Sequence, residues 1–344
     1  MRSGQRTPNI AEAERLIRNL YQGILQRDPE PSALLHWTKQ LEEGQEVNEV
    51  VEAFLNSDEF QNLRWRAKPA YPPGHFYSPI VDPSEIEAAF RHQSQQPAPV
   101  NLPGIAISLD NHVALWQRMV PLLTEIPFPD EPTPGFRYHF RNANYSYGDA
   151  SMLYAMLRLF EPRRLIEIGS GFSSACSLDT IDRYLNGRVD VTFIEPYANL
   201  LRQVLGHQTM QTVDLYETPV QHAPLELFSE LANNDILFID STHVLKTGSD
   251  VCHELFNILP RLASGVLIHF HDMFWPFEYG EEWVLTENRS WNELYGIHAF
   301  LMYNKEFEIV FFNDYFRRWR RDLIAATYPN FLNNTGGSLW LRKT

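Results

Sequence analysis

The sequence predicts an α/β protein, a parallel sheet wound on both faces, preceded by a small all-α domain. Three observations carry this. Short apolar runs at 164–168, 189–194, 235–240 and 265–272 alternate with stretches of helical period. The turn Gly169-Ser170-Gly171 directly follows the first run and opens a helix. Residues 9–64, in contrast, show helical periodicity alone. The expected division is a helical domain at 1–64, a Pro/Gln-rich linker at 65–104 and the α/β domain at 105–344.

Composition narrows the function classes. The 344 residues are 44% hydrophobic and 21% charged, as in a globular protein. A net charge of −14 argues against nonspecific nucleic-acid binding. The two cysteines, Cys176 and Cys252, form no C-x-x-C pair and suggest neither a zinc site nor a disulfide framework. No apolar stretch is long enough to cross a bilayer, and MRSGQRTPNIAEAE has no leader core, so a reducing, cytoplasmic location is the expectation. Self-association stays open.

In the first domain, Ile10, Ala13, Leu16, Ile17, Leu20, Tyr21 and Ile24 recur at helical spacing. Asp28-Pro29-Glu30-Pro31 breaks that helix, and further helices are expected at 32–41 and 47–60. Leu20-Tyr21, Leu25-x-Arg27, Trp37, Gly44 and Ser57-x-Glu59-Phe60 resemble the DUF4214 family over about fifty residues. That family often accompanies glycan-modifying or surface proteins. Trp37 lies on the apolar face of its helix, which favours a core residue over a carbohydrate platform.

The linker carries one expected helix at 84–91, and another follows at 108–124. PFPDEPTPGFRYHF reads as a proline-rich loop. NANYSYGD, 142–149, precedes a helix at 150–160; either Asp149 caps that helix or the segment folds over a bound ligand. Beyond the glycine turn, Ser173 and Ser174 can cap a helix with Ala175, Leu178 and Ile181 on its apolar face. Helices are then expected at 198–205, 225–232, 248–262 and 291–303. Strands are expected near 209–215, at 307–312 and at 338–342.

Ligands of open α/β sheets bind beyond the carboxyl ends of the strands. Four such ends are polar here: Glu167 with the glycines, Glu195, Asp240-Ser241-Thr242-His243, and His269-Phe270-His271-Asp272. The glycines permit close backbone approach, and Glu195 at the second strand's tip can grip both hydroxyls of a ribose. A dinucleotide site wants G-x-G-x-x-G, but Ser174 replaces its third glycine. Glu167, two residues before the turn, would repel a pyrophosphate and suit an ammonium.

Glu167-Ile168-Gly169-Ser170-Gly171 therefore resembles the first motif of class I S-adenosylmethionine (SAM) methyltransferases. The chain looks closest to methyltransferase family 24 over about 140–343. The resemblance implies a Rossmann-like seven-stranded sheet completed by an antiparallel strand. It implies SAM as cofactor, with Glu167, Gly169, Ser170, Gly171, Glu195 and Asp240 binding it. FIDSTH and HFHD resemble the metal corner of catechol-type, macrocin-type and cephalosporin-cluster enzymes, where acids after the fourth and fifth strands hold magnesium. Asp240 and Asp272 match two positions, while His271 stands where an acid is usual. Imidazole suits manganese or zinc better than magnesium, or the chain has dropped the metal and kept a histidine base.

The expected activity is methylation of a hydroxyl on a sugar, glycan or natural product. His271 with Asp240 ranks first for removing the proton, His243 is the further candidate, and His269 is read as structural. The alternatives are a NAD-dependent oxidoreductase and a cofactor-binding scaffold without turnover. An iron triad is disfavoured because H-x-D spacing is missing, and no G-x-S-x-G elbow occurs. FRRWRRDL, 316–323, reads as an exposed helix, with the lining of an anionic substrate's path or contact with a membrane surface as the alternatives.

Overall fold

The computed structural model describes residues 9–60 and 70–344. The ends of the expected helical domain (1–8 and 61–64) and the start of the expected linker (65–69) lie outside them. The chain divides into two compact units, Met1–Asp82 and Pro83–Thr344.

In the first unit, α1 (Ile10–Leu20) opens on a capping box in which Asn9 and Glu12 each satisfy the other's backbone N–H. Helices α2 (Pro31–Glu42) and α3 (Val47–Leu55) close with it over Ala13, Ile17, Tyr21, Leu25, Leu41, Val50 and Phe54. Trp37 is half-buried and joins that core, its ring 5.4 Å from Phe54. Two of the signature residues pair: Arg27 Nε and Nη2 donate to the two carboxylate oxygens of Glu59 at 2.5 and 2.9 Å.

The second unit is built on one seven-stranded sheet of order β3-β2-β1-β4-β5-β7-β6. The strands are β1 (Arg164–Ile168), β2 (Asp190–Ile194), β3 (Asp214–Tyr216), β4 (Ile236–Ile239), β5 (Leu267–Phe270), β6 (Phe307–Phe312) and β7 (Leu339–Lys343). β1 to β5 run parallel, and β7 inserts antiparallel between β5 and β6. This is the seven-stranded Rossmann-like sheet with its antiparallel strand. The helices are α4 (Pro83–Ser94), α5 (Leu109–Leu123), α6 (Tyr147–Phe160), α7 (Phe172–Tyr184), α8 (Asn199–Met210), α9 (Glu226–Ser229), α10 (Asp250–His253), α11 (Glu293–Leu301) and α12 (Asn313–Thr327). Separate apolar clusters cover the two sheet faces, one including Leu165, Phe193 and Phe238, the other Ile166, Ile194 and Leu237. Such two-sided burial accounts for the near-continuous apolar strands.

Three elements depart from the expectation. Thr209 and Met210 finish α8 instead of starting a strand, so β3 begins at Asp214. The helix after β4 is α-helical only to His253, then widens through a π turn at Glu254–Ile258. α6 starts at Tyr147, so Asp149 lies in its first turn and points across the fold instead of capping it. The strand order reverses between β1 and β4, which opens the crevice where such sheets bind ligands.

Candidate active site

The tips of β1, β2 and β4 are knitted together at this crevice. Gly169 N donates to Ile194 O at 3.1 Å, and Asp240 N to Ile168 O at 2.9 Å. Gly169 has φ +77°, and a Cβ there would stand 1.8 Å from the Asp240 carbonyl oxygen. Only glycine fits. Glu195, at the β2 tip, accepts from Ser170 N at 3.1 Å and Tyr197 N at 2.7 Å, so its carboxylate already shapes the glycine loop.

Glu167 is fully buried beneath that loop. Its Oε1 accepts from the Ser173 and Ser174 hydroxyls at 2.5 and 2.9 Å, and Oε2 has no partner among the described residues. Burial pushes its carboxyl up to about 8, against the pull of the two hydroxyls. The Ser170 hydroxyl is also buried without a partner. Two orphaned polar atoms beside an ordered glycine loop are what a polar ligand would satisfy.

The second half of the crevice gathers the polar tips of β4 and β5. His243 Nε2 lies 3.4 Å from Asp240 Oδ1 and 3.7 Å from Asp272 Oδ2, and His271 Nε2 lies 3.5 Å from Asp272 Oδ1. β5 ends at Phe270, and Asp272 turns back at φ +56°, which brings it to the same side as His271. His243 is also left-handed, at φ +60°. His243 Nδ1 contacts Glu293 Oε2 at 2.8 Å, and Trp291 covers its ring at 4.4 Å.

Charge balance in the cluster follows from its carboxylates. Burial alone would lower His243, but Asp240 and Glu293 overcome it and hold the imidazole well above its ordinary value. His271 is raised too, because Asp240, Asp272 and Asp149 outweigh its burial. Burial would raise Asp240, but the field of His271 and the bond from His243 keep it below its usual value. His269 behaves differently: burial drives it well below an ordinary histidine, its ring stacks on Phe238 at 4.0 Å, and Nε2 meets Ser338 Oγ at 2.9 Å.

The structure thus brings together Asp240, His243, His271 and Asp272, and separately Glu167, the glycines and Glu195. Sequence reading missed Glu293 and Glu254, the latter a buried acid accepting from the Ser241 hydroxyl at 3.2 Å. It also missed the site role of Asp149, which burial raises to about 6 and which accepts from Ser338 Oγ at 2.5 Å. Nothing in WNEL or CHEL distinguishes those glutamates from surface ones. As the side chains stand, no three His, Cys, Asp or Glu among the described residues close around one metal point.

A cavity of about 1060 Å³ opens from this corner, lined among others by His271, Asp272, Asp149, Phe274, Trp283 and Arg317. The glycine loop and Glu195 do not line it. The polar groups of the crevice therefore fall on two sides of the β4 tip: Glu167, the glycine loop and Glu195 on one, and the cluster that heads this cavity on the other.

Residues 166–273, which hold the polar tips of β1, β2, β4 and β5, match the family model described as a methyltransferase domain. Over this stretch the chain is similar to methyltransferase domains. Residues 8–64 of the chain match the domain of unknown function DUF4214. An uncharacterized protein of Archaeoglobus fulgidus is 29% identical over 174 residues, covering 48% of this chain and 76% of its own. Among solved structures, the SAH-bound Podospora anserina methyltransferase PaMTH1 is 13% identical with a TM-score of 0.36, over 80% of this chain and 100% of that one. The O-methyltransferase TomG of Streptomyces achromogenes, in complex with SAM, is 11% identical with a TM-score of 0.38, over 75% and 96%. No helix among the described residues is long and apolar enough to cross a membrane.

Proposed function

We propose that the protein transfers a methyl group from SAM to a hydroxyl of a sugar, glycan or natural product. The observation that supports this most is the pairing of compartments across the switch point. On one side lie Glu195, the glycine loop and the unpartnered Glu167 Oε2; on the other a cavity is headed by a histidine–aspartate cluster. Glu195 would hold the ribose, and Glu167 Oε2 is free for the ammonium. Gly169, Ser170, Gly171 and Asp240 would frame the cofactor. Bound there, SAM supplies an electrophilic methyl on a good leaving group, so the chain's own task is alignment and proton removal.

In this reading the hydroxyl meets Asp272 and His271 at the cavity head. His271, with Asp240, takes the proton, and His243, braced by Glu293, completes the cluster. The donor set does not close around a metal as it stands, and no step is assigned to one. The reading places the protein in a reducing compartment, consistent with two free cysteines.

The test is calorimetric titration of the purified protein with S-adenosylhomocysteine (SAH) and with NADH. Saturable SAH binding that Glu195→Ala abolishes supports the proposal. Tight NADH binding without SAH binding would transfer the site to an oxidoreductase.

A further inference from the structure

The cavity beyond the histidine–aspartate cluster has a feature that hydroxyl methylation does not require. Arg317 and Arg318, in the second turn of α12, both line it. Arg317 Nε and Nη2 donate to Asp314 Oδ1 at 3.2 and 2.6 Å, and Arg318 Nε donates to Asp314 Oδ2 at 2.8 Å. Asp314 also accepts from Trp275 N at 3.1 Å. One buried carboxylate thus orients two guanidiniums and fixes them to the loop that leaves β5. Arg317 Nη1 and both terminal nitrogens of Arg318 have no partner among the described residues.

The local balance is two cations against one anion, in a chain whose net charge is −14. The other acids of the cavity have partners of their own. Asp149 is hydrogen-bonded to Ser338 and Glu278 to Tyr295, Asp272 lies beside the histidines, and Glu281 pairs with Arg91. Glu282 alone among the lining carboxylates has no partner within the described residues, and it lies in the segment that packs on α4. Spare, preoriented guanidinium donors in a partly apolar cavity form a receptor for a phosphate or carboxylate oxygen.

We propose that Arg317 and Arg318 form a subsite for an anionic group, phosphate or carboxylate, carried by the methyl acceptor. The inference rests on reading the cavity as the acceptor's compartment. The geometry also limits the acceptor's size. Trp275 is three residues from Asp272, at most about 11 Å of extended chain, so the arginine pair is one short loop from the reacting corner. The acceptor is then compact, with its anion near the methylated hydroxyl, as in a sugar phosphate or a sugar acid. Phe274 and Trp283, in edge-to-face contact at 5.4 Å, give its ring an aromatic wall.

The test uses the full chain in low-salt buffer at pH 7.5, with and without saturating SAH. Inorganic phosphate and D-glucuronate are titrated by calorimetry into wild type and the double variant Arg317→Gln/Arg318→Gln. Both arginines are partly exposed, and thermal melting checks that the variant folds. The expected result is saturable binding of one anion, at least about tenfold weaker in the double variant, with SAH affinity unchanged. Preference for phosphate or for glucuronate distinguishes the two anion sources. Absence of saturable binding for both anions, or equal binding by the variant, overturns the subsite. If SAH fails to bind, the cofactor reading falls, while the titrations without SAH still decide the role of the arginines.

Discussion

Glu167→Gln separates a cofactor contact from a structural anchor. The wild-type carboxyl titrates at about 8 inside the fold against an ordinary 4.5. At pH 7 it is therefore about nine-tenths protonated before any ligand arrives. An ammonium placed at Oε2 requires the ionised form, so SAH binding should expel a proton. Between pH 6 and 7 the ionised fraction rises from about 1% to about 9%, and SAH affinity should rise by a similar factor of roughly nine. Calorimetry in two buffers of different ionisation enthalpy counts the proton. Glu167→Gln keeps an acceptor for Ser173 and Ser174 but cannot pair with an ammonium. Its SAH affinity should be flat across this range and about 10- to 100-fold weaker at pH 8, the loss expected for one charged hydrogen bond. The same variant tests the fold. Because the folded value lies above the unfolded one, ionisation opposes folding, and stability from this group falls as pH rises from 4.5 through about 8. Glu167→Gln should thus melt near wild type at pH 4 and above it at pH 9 without ligand. A variant that binds SAH like wild type, with the same pH slope, would refute the ammonium contact.

Gly169→Ala should cost ~3 kcal/mol or more, since its Cβ would fall 1.8 Å from a backbone carbonyl. Differential scanning calorimetry should show Tm lowered by ~6 °C or more, and an unchanged Tm would contradict the described turn. Glu293→Gln removes the group holding His243 Nδ1, so the imidazole should titrate at lower pH than in wild type. Histidine NMR titration reads this directly, and an unmoved His243 would show that Asp240 alone sets it. With an acceptor in hand, wild-type kcat/KM should climb with pH past the ordinary histidine range, because His271 is raised. His271→Ala and Asp240→Asn should each reduce turnover by ~10²-fold or more, and near-normal rates in both would remove this corner from the chemistry.

Much of the sheet was legible because burial on both faces writes itself as local apolar runs. Arg164–Ile168 and Asp235–Asp240 are such runs, and the strands sit there within a residue or two. The glycine turn was legible for a related reason, since a positive φ at a strand tip leaves few residue choices. What glycine meets there was not. The sequence points to a ligand's backbone approach, whereas Gly169 packs on the Asp240 carbonyl, a contact set by the β1–β4 crossover. Asp272 shows the same limit. Strand alternation puts it opposite His271, and only the early end of β5 and a left-handed turn bring it round.

The unread part of the site has one physical character: acids whose partners arrive from far along the chain. Asp149 is spent on Ser338 and Gly337, 189 and 188 residues away, and Gly336 is required there because a Cβ would lie 1.8 Å from its carboxylate. Glu293 reaches back 50 residues to His243. Such contacts leave no periodicity, since each depends on two elements meeting only after the sheet has formed. Their consequence is nonetheless collective. Asp240 and Glu293 raise His243, while Asp240, Asp272 and Asp149 raise His271. A motif search sees HFHD and DSTH as two histidines with ordinary titration, suited to act as neutral bases. The folded protein instead holds their protons more tightly, so the base in this reading is stronger but less populated at neutral pH. That difference lies in the long-range packing of α6, α11 and β7, and it is where substitutions outside the recognisable motifs should act on the chemistry.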